Sequence, residues 1–315
     1  MRNFITKYDG YPVAFAAFMG YNRPARRIGV SLVWRAGRGE EGMGGYLAVM
    51  GVCLLGLLYL FLTAPNILHP KARTRMLGGW LYAHRGLHGG DIPENSLPAF
   101  TRAAEKGYGM ELDVHLTKDG HMVVHHDDSL LRLCGVNRRI GDMTLQEVRA
   151  CRFIGTDLPV PTLDEALDTV QGKTPLIIEL KSAGDDWKRL PEKLYRRMRA
   201  YAGIWCVESF DPRMLRWFKR YAGHVIRGQL AYDPARLPGD DHRGFRYWCC
   251  ARLLMNFLSR PDFISYGYET AGNLSFRMNR FLFEPVLAAW TVRSQEDLEK
   301  LKQRYLIQIF EAFEP

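Results

Sequence analysis

The sequence lacks the cysteine patterns of disulfide-stapled and zinc-binding chains. Its 315 residues include only six cysteines, with no CxxC pair and no metal-ligand spacing to histidine. This usage favours a reducing compartment. The 47% hydrophobic and 24% charged residues are typical of a folded protein, so disordered and collagen-like chains are excluded.

Long runs of lysine or arginine are also absent, although the formal net charge is +9. A basic chain of this kind is as consistent with acidic lipid or a phosphate-bearing substrate as with nucleic acid, and we predict no nucleic-acid partner. The length fits two ordinary domains or one α/β barrel of about 250 residues.

Charge is missing altogether between Gly42 and Leu68. Residues 46–64 are 19 nearly unbroken apolar residues, and at about 1.5 Å per residue they just span a hydrocarbon core of about 30 Å. A signal peptide would have a shorter apolar run nearer the start of the chain. We therefore predict a single-pass cell-membrane protein with a transmembrane helix at 43–66 in contact with membrane lipid. A buried core helix is the alternative.

The residues on either side of this span predict neither a fold nor an orientation in the membrane. Residues 1–42 are predicted to be poorly ordered or to lie on the membrane. Basic residues are balanced across the span, with four before it and three after it, so the positive-inside rule does not fix the orientation. We incline to a cytoplasmic catalytic domain.

After residue 78, strand-like runs alternate with helix-like stretches. Helix starts are marked by Ser96 and by two Thr-x-x-Glu capping boxes, at Thr144 and Thr162. Such alternation predicts parallel strands joined by helices, and residues 78–315 have the length of one barrel. The predicted strands are Trp80–Arg85, Gly109–Leu116, Met122–His126, Leu176–Lys181, Ile204–Phe210, Val225–Leu230, Asp262–Tyr266, Val286–Val292 and Tyr305–Phe310.

Nine strands are one more than an eight-stranded barrel needs. The connection 117–120 is too short for a parallel crossover, so it predicts a hairpin in which Met122–His126 is an antiparallel extension. If this hairpin folds about Asp119 and Gly120, His126 lies across from Asp113 to within about a residue of register.

Carboxylates lie on one face of two of these strands. Because residues two apart share a face of a strand, Glu111, Asp113 and His115 point the same way, and Glu179 with Lys181 repeats the pattern. Converging carboxylates bind hard cations such as Mg²⁺ or Ca²⁺. The alternative is a buried network of ion pairs through Lys181 and Arg85.

Histidines follow two of the strands at the end where a barrel carries its active site. His84 ends the first strand and His126 ends the hairpin, where the two imidazoles are suited to general acid and base chemistry. Arg85 is suited to bidentate contact with a phosphate. His115 is placed near the site, and structural roles are predicted for His88, His121 and His125.

One ordered set of short motifs resembles the glycerophosphodiester phosphodiesterase family. The motifs are His84-Arg85-Gly86, Pro93-Glu94-Asn95-Ser96, Glu111-Leu112-Asp113, Lys118-Asp119-Gly120, His126-Asp127, Pro161-Thr162-Leu163, Glu179-Leu180-Lys181, Glu208-Ser209-Phe210 and Trp290-Thr291. The resemblance implies an α/β fold of the TIM (β/α)₈ barrel type, here with a β-hairpin extension after the second strand and one transmembrane helix before it. The site roles that it implies are a divalent cation, Mg²⁺ or Ca²⁺, on Glu111, Asp113 and Glu179, acid/base catalysis by His84 and His126, and phosphate binding by Arg85 and Lys181.

The reaction implied is hydrolysis of a glycerophosphodiester to sn-glycerol 3-phosphate and an alcohol, by attack of water or through a cyclic phosphate. The alternatives are a phospholipase-type phosphodiesterase acting on lysophospholipids or phosphoinositides, and a catalytically silent membrane-tethered barrel. Two departures from the family pattern bear on substrate choice more than on catalysis. They are Phe310-Glu311, where many members carry Thr-Asp, and a long insertion between Leu230 and Pro261.

Within that insertion, residues 242–260 interleave apolar and basic side chains over one helix length. This pattern predicts either contact with the lipid headgroup boundary or an ordinary barrel helix.

Overall fold

The computed structural model describes residues 41–68, 74–181, 186–237 and 244–315. The predicted extension 1–42 lies outside the described residues up to position 40, as do residues 242 and 243 of the basic and apolar insertion. The chain divides into two compact units, Met1–Met50 and Gly51–Pro315. A long helix, α1 (Glu41–Thr63), contains the boundary between them and overlaps the predicted span 43–66.

Eight parallel strands of the second unit close into a barrel, which confirms the predicted fold. Their order around the ring is β1, β2, β4, β5, β6, β7, β8 and β9, and β9 pairs again with β1. The strands are β1 (Leu81–Ala83), β2 (Gly109–Leu116), β3 (Met122–Val124), β4 (Leu176–Leu180), β5 (Trp205–Ser209), β6 (Arg227–Ala231), β7 (Phe263–Gly267), β8 (Val286–Val292) and β9 (Ile307–Phe310).

The ninth strand, β3, is the predicted hairpin extension. It pairs antiparallel with β2, and Val114 lies opposite Val124. This register differs by one residue from the predicted pairing, so His125, rather than His126, donates its backbone N–H to the carbonyl of Asp113 at 3.0 Å.

Helices connect the strands and begin where the sequence predicts. Ser96 caps its helix by accepting from the amide of Ala99, and Thr144 and Thr162 each form a complete capping box. After α1 the helices are α2 (Leu97–Glu105), α3 (Leu131–Cys134), α4 (Leu145–Ala150), α5 (Leu163–Val170), α6 (Arg189–Met198), α7 (Pro212–Tyr221), α8 (Phe245–Ala251), α9 (Asn256–Ser259), α10 (Leu274–Leu282) and α11 (Gln295–Leu301).

Within residues 244–260, the described part of the predicted helix-length segment, the chain forms two short α-helices, α8 and α9, and not one. The chain turns between them at Leu253, which has a left-handed φ of 57°. Leu253 is buried, so its side chain holds the turn against the core.

The barrel interior has two levels. Near the amino ends of the strands it is filled by apolar side chains, including Tyr82, Ile177 and Cys206. Because side chains two apart share a face, the next inward positions on β4 and β5 belong to Glu179 and Glu208. The apolar level is therefore the floor beneath a polar level at the carboxyl ends, where barrel enzymes carry their sites.

Candidate active site

Four carboxylates lie side by side on three neighbouring strands at the carboxyl end of the barrel. Asp113 of β2 is level with Glu179 of β4, which is level with Glu208 of β5, and Glu111 precedes Asp113 on the same face. All are buried. Ligand oxygens of Glu111, Asp113 and Glu179 lie within 4.8 Å of one another, so the structure brings the three predicted metal ligands together.

Two basic side chains and one amide surround these carboxylates. Lys181 Nζ lies 2.9 Å from Asp113 Oδ1 and 2.8 Å from Glu179 Oε1. Arg85 Nε lies 3.6 Å from Asp113 Oδ2, and Asn95 donates to the same oxygen at 2.7 Å. Both basic residues predicted to bind phosphate are therefore at the site, and two of the three ammonium donors of Lys181 are already engaged.

The arrangement carries more negative than positive charge. Burial and the neighbouring charges of Asp113 and Glu179 raise the pKa of Glu111 well above its usual range. Burial and the charge of Glu179 raise the pKa of Glu208 to about 8. Burial would also raise the pKa of Asp113, but Lys181 and other positive neighbours hold it well below its ordinary value.

The cluster passes a chemical test for a divalent cation. Glu111 Oε1 is buried and has no hydrogen-bond partner among the described residues, although a buried polar atom normally has one. Four carboxylates face only two basic side chains, and carboxylate oxygens are the preferred ligands of hard cations. The residues present therefore fit such an ion.

His84 is held by a carboxylate. Its Nδ1 is hydrogen-bonded to Glu311, the residue that follows β9, and its Nε2 lies 3.9 Å from Glu111 Oε2. Burial lowers the pKa of His84, whereas the bond to Glu311 opposes that shift. The same bond lowers the pKa of Glu311 to about 2, so Glu311 is a carboxylate that orients the imidazole.

His126 is likewise hydrogen-bonded to a carboxylate, that of Asp127. Its Nδ1 lies 2.7 Å from Asp127 Oδ1, and Arg132 Nε donates to the other oxygen of Asp127 at 2.6 Å. Arg132 also reaches Glu94 at 2.7 Å, and Glu94 accepts from Arg85 at 2.8 Å. A chain of ion pairs thus links His126 to Arg85, and in each catalytic candidate Nδ1 is the nitrogen that is hydrogen-bonded to a carboxylate.

A cavity of about 300 Å³ joins these groups. Its wall contains both predicted catalytic histidines, together with Arg85, Glu111 and Glu179. The lining is partly apolar, and its apolar members are Phe210, Leu230, Trp290 and Ile309.

Several residues at the site were given no role by the sequence. The sequence gives Glu208 only as part of a motif, whereas in the structure it lines the cavity, and its Oε2 is buried with no hydrogen-bond partner among the described residues. Glu311, which the sequence relates to substrate choice, contacts His84. The signal in both cases was position, because each lies at the carboxyl end of a strand. His115 bonds the backbone carbonyl of His126 at 3.2 Å, which places it behind the site.

A family model named for glycerophosphoryl diester phosphodiesterases matches residues 84–309 of the chain. The chain belongs to this family. The match begins at His84, directly after β1, and ends two residues before Glu311, so it covers most of the barrel but not α1. The predicted resemblance is thereby confirmed.

Curated relatives from the family match about half of this chain. A glycerophosphodiester phosphodiesterase of Caldanaerobacter subterraneus is 36% identical over 160 residues, which are 47% of this chain and 65% of the relative. Human lysophospholipase D GDPD1 is 33% identical over 183 residues, which are 54% of this chain and 55% of the relative. The chain thus spans between about half and two thirds of the length of these relatives.

Solved structures share the barrel. A phosphodiesterase of Oleispira antarctica in complex with the product sn-glycerol-3-phosphate superposes with a TM-score of 0.61 at 19% identity, covering 75% of this chain and 94% of that one. A protein of Silicibacter pomeroyi described as a glycerophosphoryl diester phosphodiesterase gives 0.61 at 21% identity, covering 76% and 93%. At these identities the likeness concerns the fold.

Proposed function

We propose that the chain is a phosphoric diester hydrolase that cleaves glycerophosphodiesters to sn-glycerol 3-phosphate and an alcohol. The observation that carries the proposal is one cavity in which His84 and His126 flank a buried carboxylate cluster. Family membership and the product named with the Oleispira structure support the same substrate class.

In this proposal the two histidines move the protons. Each imidazole has its Nδ1 hydrogen-bonded to a carboxylate, Glu311 for His84 and Asp127 for His126. These bonds favour the tautomer that keeps the proton on Nδ1 and leaves Nε2 as the base. One Nε2 takes the proton of the attacking hydroxyl, and the other, protonated, gives its proton to the leaving alcohol oxygen.

Glu111, Asp113 and Glu179 are proposed to hold a divalent cation, Mg²⁺ or Ca²⁺. Such an ion supplies Lewis-acid polarisation of the phosphoryl oxygens. Arg85 and Lys181 neutralise the remaining charge of the phosphate, and their existing contacts with Asp113 fix where their donors lie. Anion binding at this site therefore draws on side chains that are already oriented.

A lysophospholipid is the second candidate substrate, for a specific reason. Phe210 and Trp290 line the cavity and meet edge to face, with ring centroids 5.8 Å apart. An aromatic wall suits an apolar alcohol or acyl chain better than a choline or ethanolamine headgroup alone. The human relative named lysophospholipase D is consistent with this option.

Product analysis of the purified full-length chain tests both candidates. Glycerophosphocholine, glycerophosphoethanolamine and a lysophosphatidylcholine would be incubated with Mg²⁺ or Ca²⁺, and again with chelator. We expect release of glycerol phosphate from the soluble diesters, with loss of activity in chelator. Cleavage of the lysophospholipid alone would favour the second candidate, and no phosphodiester cleavage by the folded chain would contradict both.

We further propose that 43–66 is a transmembrane helix, that the catalytic domain is residues 78–315, and that this domain lies in the cytoplasm. Met43–Thr63 is long and apolar enough to cross a membrane, and no residue of its 18-residue apolar window is buried inside the protein. The six cysteines are all unpaired, as a reducing compartment favours. Intact mass and alkaline carbonate extraction would distinguish a retained span from a cleaved signal sequence, and thiol labelling in intact cells would report the side.

A further inference from the structure

The end of α1 contacts the barrel at two different levels. The hydroxyl of Tyr59 is hydrogen-bonded to Ser275, in the first turn of α10. The backbone amide of Asn66 donates to the carbonyl of Pro261 at 2.9 Å, and its side chain donates to Asp262 at 2.8 Å. All of these residues belong to the same compact unit.

These contacts fix the direction in which the segment runs. Ser275 follows the carboxyl end of β7, whereas Pro261 precedes the amino end of the same strand. Residues 59–66 therefore run from the carboxyl end of the barrel towards its amino end, antiparallel to β7. Within the same unit, residues 51–58 of α1 therefore lie towards the carboxyl end of the barrel, where the cavity opens.

Exposure along α1 agrees with this direction. The leucines and valine between positions 52 and 58 are 52% to 70% exposed, whereas Tyr59 is only partly exposed and Thr63 is buried. The barrel thus covers only the last turns of the helix. The apolar side chains between positions 52 and 58 are left uncovered by the barrel.

Several hydrogen bonds attach the end of α1 to the barrel. Arg260 donates to the carbonyls of Phe61 at 2.9 Å and Ala64 at 2.8 Å, and its guanidinium lies 4.6 Å from the centre of the Phe61 ring. Asn256 donates to the carbonyl of Thr63 at 2.8 Å. Because the last carbonyls of a helix lack intrahelical partners, these bonds hold the helix end in one orientation on the barrel.

Exposed apolar side chains lie on the same side as the departing helix. Phe245 and Trp248 of α8 are 78% and 45% exposed, and their rings stack with centroids 5.9 Å apart. Leu274, the first residue of α10, is 67% exposed. The two helices meet here, because the carbonyl of Ala251 accepts from Asn273 at 2.7 Å.

The surrounding charge is basic. Between positions 244 and 282 the sequence has five arginines and two acidic residues. Arg260 and the buried Asp262 lie at the amino end of the barrel, and Arg280 lies in the last turn of α10. The rest of this segment has Arg246, Arg252 and Arg277 against Glu269. Arg252 lies 4.6 Å over the ring of Trp248. Aromatic side chains beside arginines are typical of surfaces that enter the headgroup layer of an anionic membrane.

We propose that the carboxyl face of the barrel rests on an anionic lipid bilayer, with Phe245, Trp248 and Leu274 in the headgroup layer and the cavity mouth turned towards the lipid. This inference rests on the proposed membrane span of α1 and goes beyond the proposed reaction, because it states how the site is presented to its substrate. A diester whose other half remains anchored in the bilayer then meets the cavity directly.

The two ends of α10 provide a matched test. Leu274 and Phe281 are seven residues apart, so they share a face of the helix, and they are 67% and 81% exposed. Only Leu274 lies at the carboxyl end of the barrel. The full chain carrying Leu274→Cys or Phe281→Cys would be labelled with a fluorophore. It would then be reconstituted into phosphatidylcholine–phosphatidylglycerol vesicles that contain a lipid with a nitroxide quencher on its headgroup. Wild type labelled in parallel gives the signal of the native thiols, which is subtracted.

We expect the label at position 274 to be quenched several-fold more than the label at position 281. Adding Phe245→Ser and Trp248→Ser should reduce quenching at 274, and an unchanged value overturns the part assigned to α8. Equal quenching at both positions, or stronger quenching at 281, overturns the proposed orientation. Alkaline carbonate extraction of the same vesicles tests the span separately, and hydrolysis of a soluble diester tests the reaction.

Discussion

At the scale of single residues, His84 and His126 differ from the buried His115 in what they face. His84 and His126 each bind a carboxylate through Nδ1 and line the cavity. His115 instead bonds a backbone carbonyl, and burial lowers its pKa to about 4. His115 is therefore a neutral histidine with a structural role behind the site.

Removal of either His84 or His126 should therefore act on turnover. We expect His84→Ala and His126→Ala each to lower kcat by at least about 100-fold with little loss of folding, because acid/base groups act mainly in the transition state. His121→Ala is the matched control, since that side chain is 57% exposed and outside the cavity. Steady-state kinetics on a soluble diester measures the effect, and near-normal turnover in either variant would end the assignment.

Glu311 should act through His84. Glu311→Gln keeps the size of the side chain but removes the charge that orients and stabilises the protonated imidazole, so we expect kcat to fall by about 10-fold or more with little change in KM. Glu311→Asp, which keeps the charge, should retain more activity than Glu311→Gln. If both variants raise KM and leave kcat unchanged, Glu311 contacts the substrate instead.

At the scale of elements, periodicity and caps were sufficient to predict much of the barrel. β2 and β8 begin and end where the sequence predicts, because each is a buried run with clear boundaries. The short connection at Asp119 and Gly120 predicted the hairpin by excluding a parallel crossover. The division of the insertion into α8 and α9 was not predictable, since it depends on how Leu253 packs in the folded core.

One glycine shows how tightly the strands pack inside the barrel. A Cβ added to Gly228 on β6 would lie 2.2 Å from the ring of Phe263 on the neighbouring strand. We expect Gly228→Ala to destabilise the fold by about 1–3 kcal/mol through overpacking. Gly141→Ala is the control, because its added Cβ meets no atom within 4 Å. Chemical denaturation of both variants measures the difference, and equal stability would mean that the ring moves aside freely.

At the scale of the whole molecule, the site depends on closure of the barrel. The sequence placed Glu111, Asp113 and Glu179 on inward faces and His84 at a strand end, so their convergence was predictable from strand alternation. Glu311 was not assigned to His84, because residues 227 positions apart meet only when β9 returns beside β1. Such contacts depend on the order of the strands in the closed barrel, and no local sequence pattern predicts them.

The excess of negative charge inside the closed barrel should make the stability of the molecule depend on divalent cations. A ligand that binds only the folded state stabilises it by about 2.7 kcal/mol when its concentration is 100 times Kd. We therefore expect Mg²⁺ or Ca²⁺ to raise the Tm of the full chain, measured by calorimetry in detergent, and chelator to reverse the rise. Glu111→Gln should lose most of the rise.

Glu111→Gln should not destabilise the cation-free protein, although it removes most of the stabilisation by the cation. Glu111 is buried beside Asp113 and Glu179, and its Oε1 has no hydrogen-bond partner among the described residues. Burial and these neighbouring charges already disfavour the ionised form of Glu111 and raise its pKa, so a neutral side chain at this position loses no stabilising charge when no cation is bound. In chelator, Glu111→Gln should have a Tm at or above that of the wild type. If the cation raises the Tm of both proteins equally, it binds elsewhere, and the carboxylates form a network of ion pairs through Lys181 and Arg85.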